Sequence, residues 1–395
     1  MKNLIITVMM LVLSAALLLP VAGCDGETGE TEPATSENNQ WLKYLSILPE
    51  NEVTLNAACI QTSDYADILR KAIPEEIQEQ PTAVTIDVMA HINLPLFLRY
   101  SGEEWKNTLG FTIDEVTASI YASAGPPKEY QTVYGTFTAE DIETAAKTGP
   151  LQEHLEIKSH AGYEYYSWGE DMGIHMTPEW RSNIRNLGRG HRLAYVGGFA
   201  LWMIWTEGLT DMIDAYAGNI PSLADNEEYK LLAVELEKLD TVTAFFSSAT
   251  ASISEFKEMY HDNLEELRQK GDMEQVEAFE NEPLLKPFLS FATGAGEDEQ
   301  GAYMVIILLN PDESTAKENA GLLERRISES IMNPYTTNPE MNLIKWTDND
   351  AIESMEINGS GKFTIAKLYG KVFSRWDDFN LFGATGMFHP LLLHE

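Results

Sequence analysis

The stretch Ala302-Tyr-Met-Val-Ile-Ile-Leu-Leu309 is the clearest candidate for a buried β-strand, because no charged residue interrupts it. The Asn310-Pro311 pair that follows is a turn signal. The residues from Glu313 to Ile331 are predicted to form a helix. This part of the chain therefore predicts a buried strand, a turn and a helix in that order.

A weaker copy of the same order lies earlier in the chain. Tyr130–Gly135 is predicted to be a strand. Thr138 to Gly149 is predicted to be a helix, with Thr138 as its N-cap, acidic residues in its first turn and a Gly-Pro stop. The likeness between Tyr130–Gly149 and Ala302–Ser330 is consistent with a ferredoxin-like duplication. Because strand–helix pairs are common, a chance likeness is the alternative.

Two hairpins are also predicted. Tyr163–Trp168 and Gly173–Met176 suggest one, and Ile352–Ile357 and Lys362–Tyr369 flank the turn residues Asn358-Gly-Ser-Gly361 in the other. Short β-α-β-β units of this kind favour an α+β architecture over a doubly wound one.

We therefore predict an α+β fold of two halves, with mixed sheets, packed helices and ferredoxin-like units. The first half is residues 41–250. The second, residues 251–395, is either a domain of its own or the second half of one large domain.

The N-terminus is predicted to be an export signal. Lys2 precedes an apolar run from Leu4 to Pro20, and Val21-Ala-Gly-Cys24 follows at once. These four residues resemble the lipobox of bacterial lipoproteins, in which a peptidase cuts before a cysteine that already carries diacylglycerol. The resemblance implies that residues 1–23 are a signal peptide and that Cys24 is lipidated. The alternative is an uncleaved signal anchor, since the apolar run approaches the ~20 residues that span a bilayer.

The residues after Cys24 are predicted to be a tether. Residues 24–40 have no large apolar side chain and are rich in Gly, Ser, Thr and Glu, so they cannot bury enough surface to offset their ordering entropy. The lipobox resemblance implies that the chain after this segment lies outside the cytoplasm, anchored to a bacterial membrane by lipid.

The charge balance argues against nucleic acid as a partner. Asp and Glu number 62 against 27 Lys and Arg, which gives a formal net charge of -35. Such a surface repels phosphate backbones. Cys59 is the one cysteine besides Cys24, so we expect it to be a small buried residue without a disulfide partner.

Familiar catalytic motifs are missing from the sequence. It contains no Gly-rich phosphate loop, Gly-x-Ser-x-Gly elbow, His-Glu-x-x-His helix or Cys-x-x-Cys pair. His154, His160 and His175 do not have the spacing of a known metal site. We therefore expect no cofactor and no metal.

Four cations form a local departure from the acidic surface: Arg181, Arg185, Arg189 and Arg192. Arg181, Arg185 and Arg189 are four residues apart, and a helix continuing from Thr177-Pro-Glu-Trp180 would place them on one face, as an anion-binding site. The alternative is ion pairing with the abundant carboxylates of the same chain.

An aromatic-rich segment supplies the second candidate site. Trp168, Trp202 and Trp205 are candidates for lining a ligand cleft, as aromatic residues do in sugar or peptide binders. The alternative is that they fill the core.

Two functions remain. The first is a non-catalytic module that binds an envelope protein or a small-molecule ligand, or that serves envelope assembly. The second is an exported hydrolase that acts on envelope material with a carboxylate pair. A desolvated carboxyl group beside a second one in a deep cleft would favour the hydrolase.

Overall fold

The strand predicted at 302–309 lies inside a large β-sheet. The computed structural model describes residues 39–62, 103–123, 128–181, 188–250, 252–259, 261–271, 273–332, 343–346, 352–370 and 389–395. Of the fourteen strands within these ranges, twelve belong to one sheet and two pair with each other.

The strands of the N-terminal part are β1 (Ala58–Thr62), β2 (Val116–Ser123), β3 (Glu129–Gly135), β4 (Leu155–His160), β5 (Tyr163–Trp168), β6 (His191–Val196), β7 (Phe199–Met203) and β8 (Thr243–Ser247). Those of the C-terminal part are β9 (Ser290–Asp298), β10 (Gly301–Leu309), β11 (Ser330–Met332), β12 (Leu343–Lys345), β13 (Ile352–Ser360) and β14 (Phe363–Gly370).

The described α-helices are α1 (Gln40–Leu45), α2 (Glu52–Asn56), α3 (Glu103–Leu109), α4 (Ala139–Thr148), α5 (Thr206–Tyr216), α6 (Glu227–Lys238), α7 (Ile253–Met259), α8 (His261–Lys270), α9 (Met273–Glu280) and α10 (Glu313–Ser328). Short 3₁₀ turns occupy Ile113–Glu115, Gln152–His154, Leu223–Asp225 and Pro390–Leu392.

Both faces of the sheet are covered, because successive side chains of a strand point to opposite sides. On one side, which we call the α6 face, Ile60, Leu201 and Val305 pack with residues of α1, α5 and α6. On the other side, the α10 face, Val133 packs with α3 and α4 while Ile306 packs with α10. This double cover explains why the 302–309 run is apolar at every position from Met304 onward.

The sheet has the same order from its centre outward in both directions. β1 and β8 pair at the centre. From β1 the neighbours run β2, β3, β7 and β6, and from β8 they run β9, β10, β14 and β13. In each half a hairpin leads into a helix, α4 or α10, and the later hairpin adds to the strand before that helix. The halves therefore share one topology.

The two equivalent helices also begin alike. The Thr138 hydroxyl accepts a hydrogen bond from the Asp141 backbone N–H at 3.3 Å, and the Asp312 carboxylate accepts one from the Thr315 N–H at 2.8 Å. In α4 the N-cap is a threonine and the residue three positions later is an aspartate, whereas in α10 the N-cap is an aspartate and the residue three positions later is a threonine. The sequence likeness of 130–149 and 302–330 thus falls on equivalent elements.

The predicted α+β class is confirmed, but two finer features differ. Every strand pairing of the sheet, among the described residues, is antiparallel, so the sheet is not mixed. A ferredoxin-like unit is a split β-α-β, with another strand between those that flank a helix. Here β8 pairs directly with β9 and β1 with β2, so these connections are not split. β14 does lie between β10 and β13, which flank α10, so each half matches a ferredoxin-like unit only in part.

The boundary predicted near residue 250 does not interrupt the sheet. β8 belongs to the range 41–250 and β9 to 251–395, and they pair over five residues from Thr243 to Ser247. All described residues fall within one unit of the chain, Ser36–Glu395.

The end of the chain is held by a buried cation on α10. Arg326 is fully buried, and its guanidinium donates to the carbonyl oxygens of Leu391 at 2.8 Å and Pro390 at 2.6 Å. It also lies 3.5 Å from the Glu282 carboxylate. A buried Arg needs such partners, since an unpaired charge costs several kcal/mol to desolvate. Burial lowers the pKa of Arg326, and Glu282 opposes that shift.

Candidate functional site

Two of the three candidate tryptophans lie together on the α10 face. Trp168 ends β5 and Trp202 lies in β7, and the ring of His191 at the start of β6 sits between them. The His191 ring centroid is 4.6 Å from that of Trp168 and 4.1 Å from that of Trp202. His191 is paired with Trp168 across β5 and β6, and Trp202 is paired with Leu193, two residues further along β6, so the three rings lie on one face of the sheet.

Trp205 lies on the opposite side of the sheet. It packs in the α6-face core at the start of α5, where its indole N–H donates to the Glu129 carbonyl at 3.2 Å. The three tryptophans therefore do not line one cleft. All of them are at least nine-tenths buried, which favours the alternative that they fill the core.

A small pocket adjoins the Trp168–His191 stack. Its walls include Thr108, Ala145, Gly149 and Leu151 from the α3 and α4 side. Its volume is about 10 Å³, which is about the room of one water molecule. The Thr108 hydroxyl is buried there without a hydrogen-bond partner, so a single internal water fits the site better than a ligand.

Arg192 is a structural residue rather than an open anion site. Its side chain is buried, and it forms an ion pair with Asp171. It also donates to the Thr206 hydroxyl at 2.9 Å and to the Gly169 carbonyl at 3.0 Å. These contacts join the loop after β5 to the start of α5, so the intrachain pairing alternative applies to this arginine.

The partner carboxylate is held by the same helix start. Asp171 accepts hydrogen bonds from the Thr206 backbone N–H at 2.9 Å and from its hydroxyl at 2.6 Å. Burial alone raises the pKa of Asp171. The two hydrogen bonds from Thr206 and the charge of Arg192 outweigh that effect, so the pKa lies below its usual value.

The remaining arginines belong to the segment 169–190, which we call the 169–190 loop and of which residues 169–181 and 188–190 are described. Arg181 is exposed and Arg189 is half-buried, and neither forms an ion pair with a described residue. Arg185 lies outside the described residues. The turn at Thr177–Trp180 does not extend as a helix to Arg181, and Arg189 instead forms a bridge with Ile174. The predicted helical stack of Arg181 and Arg189 is wrong, because Arg181 is not in a helix and Arg189 lies in a β-bridge.

Two exposed apolar side chains lie in the same loop. Ile174 is 54% exposed and Met176 is 58% exposed, the highest values among the large hydrophobic residues that the structure describes. Sequence reasoning assigned Gly173–Met176 to a hairpin strand and missed this role. The strand that forms a hairpin with β5 is β4 instead, with Tyr163 paired to His160.

Backbone hydrogen bonds and ring stacking fix the loop beneath those side chains. The Met172 N–H donates to the Ile204 carbonyl at 2.8 Å, and the His175 N–H donates to the Gly188 carbonyl at 3.2 Å. The His175 ring stacks on Trp180 at 4.1 Å. Exposed apolar groups on a loop held in this way are typical of a recognition surface.

Glu207, Asp211 and Asp214 form a cluster of carboxylates on α5, which is the feature expected for a carboxylate-dependent hydrolase. Tyr130 donates to Asp211 at 3.3 Å, and His160 lies 2.8 Å from Asp214. Burial raises the pKa of Asp211, and the charges of Glu207 and Asp214 add to the increase. Glu207 is exposed and the other two carboxylates are half-buried, so the group lies at the surface rather than in a deep cleft.

Neither metal ligation nor a membrane-spanning helix is seen in the part of the chain that the structure describes. There, His, Cys, Asp and Glu side chains do not come together in threes with metal-binding geometry. Within the same residues, no helix has the length and apolar character to cross a bilayer. Cys24 lies outside the described residues.

No protein-family model and no curated protein matches the sequence. The chain is similar to two crystal structures of a protein named TP0453. Crystal form III has 9% sequence identity and a TM-score of 0.36, with 85% of this chain and 97% of that chain covered. Crystal form I has 9% identity and a TM-score of 0.38, with 85% and 96% covered.

Proposed function

We propose that this protein is an extracytoplasmic lipoprotein, lipidated at Cys24, whose domain binds an envelope partner and catalyses no reaction. The observation that carries the binding role is the pair Ile174 and Met176, exposed on the part of the 169–190 loop that backbone hydrogen bonds of Met172 and His175 hold in place. Methionine adapts to the shape of a partner surface, and apolar side chains next to arginine are frequent at protein interfaces.

The charges around the loop define the partner. Arg181 and Arg189 lack an ion-pair partner within the described residues, while the chain as a whole carries a formal net charge of -35. An anionic membrane would be repelled by most of this molecule. The partner that fits is a protein with an apolar pocket for Met176 and acidic side chains opposite the two arginines.

The tether sets where that partner must be. Residues 24–40 extend at most to about 3.3–3.6 Å per residue, so the domain stays within roughly 60 Å of the lipid anchor. A partner on the same membrane is then met at high effective concentration, and modest affinity suffices for binding.

Site-specific photo-crosslinking in bacteria that produce the full chain tests the proposal. A photoreactive residue at Met176 should give a discrete adduct that weakens when Arg181 is changed to Glu. The matched control is the same residue at Leu231, which is 44% exposed on α6. Equal adducts at both positions, or none at Met176, would contradict the loop as the binding surface.

The α5 carboxylates support a second candidate, the exported hydrolase. The raised pKa of Asp211 beside Glu207 is the specific observation in its favour. Turnover of cell-wall or envelope glycan fragments that disappears in Asp211→Asn would establish this function. The binding module predicts no turnover by either protein.

A further inference from the structure

The two halves of the sheet differ at their outer ends. In the first half the order continues past β7 and β6 to β5 and β4, whereas in the second half it ends at β13 among the described strands. β6 and β13 are equivalent strands. β6 lies next to β7, which pairs with the strand before α4, and β13 lies next to β14, which pairs with the strand before α10. No described strand fills beside β13 the position that β5 fills beside β6.

The hairpin that would fill this position lies elsewhere. β11 and β12 come between α10 and β13 in the chain, as β4 and β5 come between α4 and β6. They pair only with each other, and Ile331 and Trp346 are buried with Leu323 and Ile327 of α10. Moving this hairpin to the sheet edge would expose Trp346, which is now fully buried, so β11 and β12 do not cover β13.

The exposure of β13 agrees with an open edge. None of its nine residues is buried, which is otherwise true in this sheet only of β4, the opposite edge strand. From Ser354 to Ser360 its pairing with β14 is regular, and α10 supports it closely from the α10 face. A Cβ at Gly359 would overlap the Ala316 backbone of that helix. The edge is thus a rigid row of backbone donors and acceptors.

The two edges are protected to different degrees. Natural edge strands avoid pairing through lysine, proline, bulges or short length. β4 has six residues and carries Lys158. β13 has nine, with neither lysine nor proline, and its one irregularity lies at its start between Ile352 and Ser354. The long regular part of β13 is therefore suited to accept a strand.

The charges on β13 decide the occupant. Glu353 and Glu356 are exposed, and Lys367, paired opposite Glu356 on β14, is already bonded to Asp298. A second copy of this chain would bring like charges together across the edge, which is unfavourable. A segment with Lys or Arg at alternate positions would place cations beside Glu356.

We propose that β13 is a docking edge at which an extended basic segment of another protein adds as an antiparallel strand, in the place that β5 occupies beside β6. Main-chain hydrogen bonds provide the affinity, and Glu356 provides the preference for basic side chains. This surface is separate from the 169–190 loop, so either proposal can fail without the other.

A synthetic nine-residue peptide of alternating lysine and valine, labelled with fluorescein, is the probe. Fluorescence anisotropy should show saturable binding to the full chain, with affinity at least about fivefold lower for Glu356→Lys. The matched control, Glu324→Lys, makes the same charge change on the exposed side of α10 and should leave the affinity within about twofold. Hydrogen exchange should slow within residues 352–360 when the peptide binds.

Three results would overturn the proposal. One is equal binding of a peptide of the same charge with proline at its centre, which cannot add as a strand. Another is an equal loss of affinity in Glu324→Lys and Glu356→Lys, which would show general attraction to an acidic protein. The third is a dimer of the chain in sedimentation equilibrium that Glu356→Lys alters, which would make a second copy the occupant.

Discussion

Arg192 is the residue on which the position of the 169–190 loop depends. We expect Arg192→Met to lower the free energy of unfolding by about 1–3 kcal/mol, because the Gly169 carbonyl and the Asp171 carboxylate lose a buried donor. Urea unfolding at neutral pH measures the change. Arg181→Met is the control and should shift the free energy by less than about 0.5 kcal/mol, since Arg181 is exposed. An equal effect of the two changes would refute the structural role of Arg192.

Asp211 is the carboxylate of α5 whose pKa is raised, so its negative charge is disfavoured in the folded protein. Its raised pKa means that the folded chain binds the proton more tightly than the unfolded chain, so its contribution to stability is present below the unfolded pKa of about 3.9 and is lost as the pH rises through the folded pKa. Asp211→Asn should therefore raise stability at pH 7 by up to about 1 kcal/mol, with little gain at pH 3. Denaturant unfolding at the two pH values tests the sign. A destabilised variant at pH 7 would contradict it.

The starts of α4 and α10 hold equivalent positions in the two halves, so their capping energies can be compared. Thr138→Ala and Asp312→Ala should each cost about 1 kcal/mol, because each removes the side chain that caps a backbone N–H of α4 or α10. The exchanges Thr138→Asp and Asp312→Thr should cost less, since both residues are good N-caps. Thermal unfolding of the four variants decides this. An alanine variant as stable as the native chain would show that its cap is not needed.

Replacing two glycines at α10 with alanine is expected to change the stability of the protein in opposite directions. Gly321 lies within the helix with no atom near an added Cβ, so Gly321→Ala should stabilise the protein by about 0.5–1 kcal/mol. Gly359 of β13 faces the backbone of Ala316 and Lys317, so Gly359→Ala should destabilise it by about 1–3 kcal/mol. Calorimetry gives both values. A neutral Gly359→Ala would mean that α10 does not press on β13.

At the scale of single elements, local sequence patterns were sufficient where one segment determines its own structure. β10, the start of α10 and the Thr138 cap were all predicted, because uninterrupted apolar residues and capping residues act within a few positions. The hairpin of β13 and β14 was predicted too, although β13 continues to Ser360 and the turn is shorter than expected.

Strand order and side-chain partners depend on distant residues and were not predicted. No local signal shows that β8 pairs with β1, or that Arg192 rather than Arg189 meets Asp171. Trp202 and Trp205 are three residues apart, yet β7 ends between them and they lie on opposite sides of the sheet. The exposed pair Ile174 and Met176 had a readable signal, since apolar residues between Gly173 and Thr177-Pro178 interrupt a polar loop.

At the scale of the whole molecule, an antiparallel sheet of two equivalent halves carries two different surfaces. The first half extends to β4 and supports the 169–190 loop, and β13 is the outermost described strand of the second half. The same topology thus offers a loop at one end and a strand edge at the other. In the account proposed above, the lipid at Cys24 keeps both surfaces close to a membrane.

Anchoring at Cys24 is the central claim, and intact mass together with membrane fractionation tests it most directly. The full-length protein and Cys24→Ser would be expressed side by side in a bacterial host. We expect a mature chain that begins at an acylated Cys24 and sediments with membranes, while Cys24→Ser keeps residues 1–23. An unmodified, identically processed chain in both cases would contradict the claim.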